Sequence, residues 1–226
     1  NIIFQATDTA EKQDIIYTFG KNARIASLPN FPGIQNSFEP VRNKKVGELR
    51  LIFVGRIHPI KNLHYLLEIL PELIGKCELT IIGAIDDKAY WKQCHKLITM
   101  MDEKISINIM EDLSHSRLQK LILEHHLFVL PTLGENFGHA IFESLAAGRP
   151  VLISDQTPWR NLKQDFAGWD IALANADEFK KVTNMMMNMD NDQLNRWCTG
   201  AWMYCHKYLS ENNLKNNYIN IFASKN

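Results

Sequence analysis

Short runs of branched apolar residues alternate with longer amphipathic segments along almost the whole chain. This alternation is the tightest constraint on its fold. Parallel neighbouring strands need a crossover of about a dozen residues, usually a helix, so apolar runs at this spacing imply βα units. "LRLIFVG" (Leu49–Gly55), "CELTIIG" (Cys77–Gly83), "KISINIM" (Lys104–Met110), "LFVLP" (Leu127–Pro131), "PVLIS" (Pro150–Ser154) and "WDIAL" (Trp169–Leu173) read as the strands. Helical segments are predicted between and after them, over 62–74, 88–101, 114–125, 138–147, 177–189, 192–209 and 214–222. The expected fold is α/β, a Rossmann-like parallel sheet with helices on both faces.

A separate unit precedes this series. "NIIFQAT" reads as a strand, "DTAEKQDIIYTFG" as a helix capped by Asp8 or Thr9 and stopped by Gly20, and "ARIASLP" as a second strand. The next stretch, residues 31–48, has Pro32, Gly33, Pro40 and Gly47 and no periodicity, as expected of a linker. No signal peptide is present and the chain starts at Asn1, so a piece of a longer chain is expected.

Composition excludes several function classes. With 25 basic and 25 acidic residues the formal charge is zero, which argues against nucleic acid as a partner. No apolar run approaches the ~20 residues of a membrane-spanning helix. Cys77, Cys94, Cys198 and Cys205 form no CxxC pair and read as reduced thiols of a reducing compartment. The histidines form no metal-like cluster, and no metal is expected. Asp86–Asp87 and Asp190–Asp192 precede helices and read as caps. His125 and His126 end a helix, where a cation is favoured. The methionines at 185, 186, 187 and 189 read as helix packing. GxGxxG, Walker and GxSxG patterns are absent, against dehydrogenases, P-loop ATPases and α/β-hydrolases.

Ligands of open parallel sheets bind beyond the carboxyl ends of the strands. Two predicted strand ends carry suitable chemistry. In "GRIHPIKN", Gly55 permits close backbone approach, and Arg56 and Lys61 supply two cations for a phosphate; a solvated basic loop is the commoner reading of such residues. In "TLGENFGHAIFESLAAGRP" a turn leads into a helix whose start suits an anion. Glu135 precedes that helix and Glu143 lies on it. A carboxylate in so apolar a helix needs solvent or a hydroxyl-bearing ligand, because two O–H groups can donate to it at once. Either Glu143 faces the same crevice or it lies on the helix's wet side.

Taken in order, "GRIHPIKN", a strand ending "IIG", and "LPTLGENFGHAIFESLAAGRPVLISD" resemble the carboxyl-terminal, donor-binding half of a GT-B glycosyltransferase of family 4 (glycosyl transferases group 1). Glu135 and Glu143 fill the family's Glu-x7-Glu motif. The resemblance runs from about Leu49 to Leu162. It implies a retaining, metal-independent, hexosyltransferase-type enzyme of bacterial polysaccharide biosynthesis, with no cofactor and a UDP- or GDP-linked sugar as donor. Gly55, Arg56 and Lys61 would bind the pyrophosphate and Glu143 the ribose. Glu135 would sit near the reacting carbon, as catalytic residue and sugar contact. Phe137, Gly138, His139 and Ala140 would meet the donor sugar through the backbone around them, with His139 equally a packing residue. The base would rest on Ile109 and Met110, where "IMEDL" replaces the family's common glycine.

The same resemblance divides the chain. Residues 1–30 would be a remnant of the acceptor-side domain, 31–48 the linker, 49–210 the nucleotide-sugar-binding domain, and 211–226 a helix crossing back to the other half. A glycan or lipid-linked acceptor would bind that other half. The expected location is cytoplasmic, peripheral to the inner membrane through the other half. Since a fold and a donor site do not guarantee turnover, a non-catalytic sugar-nucleotide-binding module is the alternative.

Overall fold

The structure, a computed structural model, describes residues 2–6, 9–28, 38–111, 113–211, 216 and 219. Strand β1 (Phe4–Ala6), helix α1 (Thr9–Phe19) and strand β2 (Ile25–Ser27) form a small unit, with β1 and β2 paired in parallel across the helix. Phe4 stacks on Phe19 at 4.4 Å between ring centroids, which seats the helix on its sheet. Gly20, at φ 89°, ends α1 as the sequence predicts. Asp8, one of the two predicted caps, lies outside the described residues.

The main body carries β3 (Glu48–Val54), α2 (Leu63–Ile69), β4 (Lys76–Ile82), α3 (Lys88–Thr99), β5 (Ile105–Met110), α4 (His115–Glu124) and β6 (Leu127–Leu130). Then follow α5 (His139–Ala146), β7 (Val151–Ser154), β8 (Gly168–Ile171), α6 (Ala176–Asn188) and α7 (Asn191–Glu211). Six strands form one all-parallel sheet in the order β5-β4-β3-β6-β7-β8. Strands β6 and β7 are buried at every position, as expected where helices cover both faces. At the β5 edge, burial gives way to exposed residues. Among the described residues no helix is long and apolar enough to cross a membrane.

Order in the sheet has a consequence for binding. The chain builds outward from β3 through β4 to β5, then returns to the other side of β3 with β6. Leu51 and Ile52 of β3 lie against Leu127 and Phe128 of β6. The reversal leaves a crevice between the loops that leave these two strands, the usual ligand site of such sheets.

Several local expectations need correction. The helix predicted over 62–74 stops at Ile69 and continues as a 3-10 turn, Leu70–Glu72. Pro71 causes this, lacking the N–H that would extend the α-helix. Asp87 caps α3 by accepting from Tyr90 N at 2.9 Å, but Asp86 does not cap it and pairs with Arg56 instead. Asp190 caps α7 reciprocally with Gln193: its carboxylate accepts from Gln193 N at 2.8 Å, and Gln193 Oε1 accepts from Asp190 N at 3.0 Å.

His125 and His126 are not helix-end cations. Both are buried, and burial lowers their pKa, that of His126 to about 2. The methionines at 186, 187 and 189 are buried as expected, while Met185 is exposed. Within the predicted linker, Val41 exchanges two hydrogen bonds with Asn195 of α7, each 2.8 Å. Lys44 is buried and donates to the carbonyls of Lys45, Met187 and Met189 at 2.8, 2.8 and 2.9 Å, closing the end of α6. Of the predicted last helix, over 214–222, only residues 216 and 219 are described.

Candidate functional site

The loops at the crevice are tied to one another before any ligand enters. After β3, Gly55 N donates to Ile82 O at 2.9 Å and Ile57 N to Ala84 O at 2.8 Å, so the first loop runs alongside the end of β4. Gly83 is required there: at φ 149°, a Cβ on it would lie 2.1 Å from Gly55 O. A 3-10 turn, Pro59–Lys61, follows, with the His58 ring accepting from Ile60 N at 3.2 Å. Ile60 O then accepts from Leu133 N at 2.7 Å and from the Thr132 hydroxyl at 2.9 Å, fastening the β3 loop to the β6 loop. The β7 loop joins through Glu135 N to Gln156 O, 3.0 Å.

The cavity at this junction is about 510 Å³ and is lined by Arg56, Lys61, Glu135, Phe137, Gly138 and His139, with Ile60, Gly134 and Asn136. Gln5 and Glu11 reach it from the β1–α1 unit. Lys61 Nζ donates to Glu135 Oε1, and both side chains are more than four-fifths buried. Arg56 is more exposed and pairs with Asp86 at 2.6 Å. The basic loop is therefore not simply solvated, since its lysine is drawn into the site.

Helix α5 starts at the same place. Gly138, at φ 78°, makes the turn into it; a Cβ there would lie 2.8 Å from Ile141 Cδ1 in a backbone region that suits glycine. Among the described residues no side chain caps this helix, and Gly138 and His139 at its start line the cavity, where free N–H groups and the positive end of a helix dipole suit an anion. Phe137 contributes backbone rather than ring. Its side chain is packed against Phe142, Trp159 and Tyr208, and its carbonyl accepts from Trp159 Nε1 at 2.5 Å. His139 is exposed and lines the cavity, its ring 5.0 Å from that of Phe137.

Glu143 is one turn beyond His139 and does not line this cavity. It lies mostly buried, its side chain 18% exposed, with Oε1 3.6 Å from His115 Nδ1 at the start of α4. Burial raises its pKa, and the nearby His115 and His139 lower it less. A wet-side position is thus excluded. Gly55 and Ala140 border the site without lining the cavity, and Ile109 and Met110 stand at the outer edge strand, Ile109 being exposed. Sequence reasoning missed Asp86, His115, Asn136, Gln5 and Glu11. Asp86 had a signal, its position directly after a strand parallel to the one that delivers Arg56.

A larger cavity, about 750 Å³, opens at the opposite end of the sheet and includes Arg50, Glu78 and Arg149. Its buried cation is committed to the fold: Arg149 donates to the carbonyls of Glu39, Leu123, Ala147 and Gly148. The smaller cavity is the better site, with cations, carboxylates and a helix start converging at the sheet's reversal. Among the described residues no group of three His, Cys, Asp or Glu is placed to hold a metal ion.

Residues 35–201 match the family model of the glycosyl transferases group 1. An uncharacterized glycosyltransferase of Methanocaldococcus jannaschii is 28% identical over 110 residues, 47% of this chain and 27% of that protein. The O-antigen chain mannosyltransferase RfbU of Salmonella typhimurium is 22% identical over 173 residues, 71% of this chain and 48% of that one. The chain thus spans between about a quarter and a half of these relatives. Among solved structures, HepE of Anabaena in complex with UDP and glucose superimposes with a TM-score of 0.71 at 14% identity, over 97% of this chain and 62% of that one. TarM of S. aureus, in a complex that includes UDP, gives 0.69 at 18% identity, over 96% and 43%. The α/β fold is that of GT-B glycosyltransferases, and the chain belongs to the glycosyl transferases group 1 family.

Proposed function

We propose that this chain is the donor-binding half of a retaining glycosyltransferase. It moves a sugar from a UDP- or GDP-linked donor to a glycan or lipid-linked acceptor, without a metal ion. The observation that carries this reading is the meeting of Lys61, Arg56 and the uncapped start of α5 with Glu135 at one cavity. The family, and the UDP in the solved relatives, support the same ligand class. The mannosyltransferase of O-antigen chains supports a sugar-polymer pathway, and with it a cytoplasmic location beside the inner membrane.

Each group has a role in this chemistry. As the bond from the sugar's reacting carbon to the diphosphate breaks, its electron pair leaves on the diphosphate oxygen. Lys61, Arg56 and the α5 N–H groups stabilise that charge, which is worth most in a water-poor site. Lys61 exchanges one anionic partner for another when a diphosphate enters, and Glu135 is released to accept from the sugar hydroxyls. Phe137, Gly138, His139 and Ala140 border the sugar, Glu143 holds the ribose, and Ile109 and Met110 support the base.

Calorimetric titration with UDP and GDP, in EDTA and then with magnesium or manganese, tests the reading. Equal affinities with and without metal are expected. A strict metal requirement refutes the metal-free mechanism, and failure of both nucleotides to bind refutes the donor site. Sugar transfer by these 226 residues alone at ordinary enzyme rates would refute the assignment as one half of the active site.

A further inference from the structure

The turn that opens α5 is held by a residue that does not itself line the cavity. Trp159, in the loop after β7, is buried, and its indole Nε1 donates to Phe137 O at 2.5 Å. We infer that Trp159 is a positioning residue of the donor site: its indole N–H fixes the plane of the Phe137–Gly138 peptide so that the Gly138 N–H faces the diphosphate. The inference rests on the donor-site reading above.

Peptide geometry supplies the direction. This peptide is trans and planar, so its C=O and its N–H point opposite ways. The Phe137 carbonyl points inward, to an indole packed among the rings of Phe137, Phe142 and Tyr208 at 5.4, 5.9 and 5.0 Å. The Gly138 N–H therefore points away from that aromatic cluster, at a residue that lines the cavity together with Lys61 and Arg56. Among the described residues no group accepts from it. A donor in that position, at the start of a helix, suits a phosphate oxygen.

The plane needs an outside hold because of the residue that follows it. Glycine takes positive and negative φ with nearly equal ease, so at Gly138 no Cβ resists rotation of the peptide. Reversal would turn the Phe137 carbonyl oxygen toward the anion. It would also leave the N–H of a buried indole without an acceptor, which is unfavourable. The indole is held in turn: Trp159 N donates to the hydroxyl of buried Thr157 at 3.3 Å, and Tyr204 of α7 donates to Arg160 O at 3.3 Å.

Two variants separate the N–H from the bulk of the ring. Trp159→Phe removes the N–H and part of the side chain. Site-specific replacement of Trp159 by benzothienylalanine removes the N–H alone, with sulfur in its place. Each protein is titrated with UDP and GDP by calorimetry, and with uridine and guanosine by ligand-observed NMR. For the nucleotide that wild type binds, affinity should fall about tenfold in both variants, the loss of one hydrogen bond to a charged group. Affinity for the matching nucleoside, which lacks the phosphates, should not change. If Trp159→Phe fails to fold, the benzothienylalanine protein alone decides. Equal losses for nucleotide and nucleoside would make Trp159 a packing residue, and unchanged nucleotide affinity would show that the indole N–H does not set the peptide. Either result overturns the inference. A wild type that binds neither UDP nor GDP is a different result, which removes the donor-site reading itself.

Discussion

Replacing Glu143 should weaken nucleotide binding without weakening the fold. Its carboxylate is mostly buried, and the ring of His115, itself exposed, lies 3.6 Å from it. Burial raises its pKa, which means that the folded chain holds the Glu143 proton more tightly than the unfolded chain does. Stability from this group is therefore greatest below the unfolded carboxyl range and declines as pH rises through the raised value. Wherever the carboxylate is ionised in the folded chain it costs stability, because burial disfavours the charged form. Two ribose hydroxyls donating to it would add a charged hydrogen-bond interaction of about 1.5–3 kcal/mol. Glu143→Ala should thus lose roughly tenfold to a hundredfold in UDP or GDP affinity by calorimetry. The isosteric Glu143→Gln, which keeps one acceptor, should lose less, and its melting temperature at pH 7 should equal or exceed that of wild type. Unchanged affinity in Glu143→Ala would remove the ribose role. Parallel losses of affinity and melting temperature in both variants would make Glu143 a structural residue and refute the reasoning.

Two further predictions concern stability. Lys44→Met leaves the carbonyls of Lys45, Met187 and Met189 without their donor and should cost about 3 kcal/mol in urea unfolding; a cost under about 1 kcal/mol would show that water replaces the ammonium. Acid should destabilise the fold early, because His125 and His126 have lowered pKa values and protonate first in the unfolded chain. Stability is complete above pH ~6.5 and falls below it by up to about 1.4 kcal/mol per pH unit for each histidine. His126→Asn should flatten the profile in this window, and an unchanged slope would show that His126 takes a proton in the folded state.

The elements of the sheet were legible because their signals are local. Each predicted strand of the main body is present within about two residues of its expected bounds. Gly20 and Gly138 mark helix ends through their own backbone conformation, and Asp87 and Asp190 cap helices through bonds three residues long. Such features depend on a few neighbouring residues, so a single sequence contains them. Pro71 was equally visible, and its effect on α2 follows from its missing N–H.

The functional geometry depends on longer distances. Strand order brings β6 beside β3, and only that order places Glu135 against Lys61, 74 residues earlier in the chain. It also turns Asp86 from a cap into the partner of Arg56 and sets His115 against Glu143. Sequence determined which residues have the chemistry to hold a diphosphate and hydroxyls. Tertiary structure decided which of them meet, because the pairs form across strands and helices whose neighbours are chosen by burial of the whole sheet.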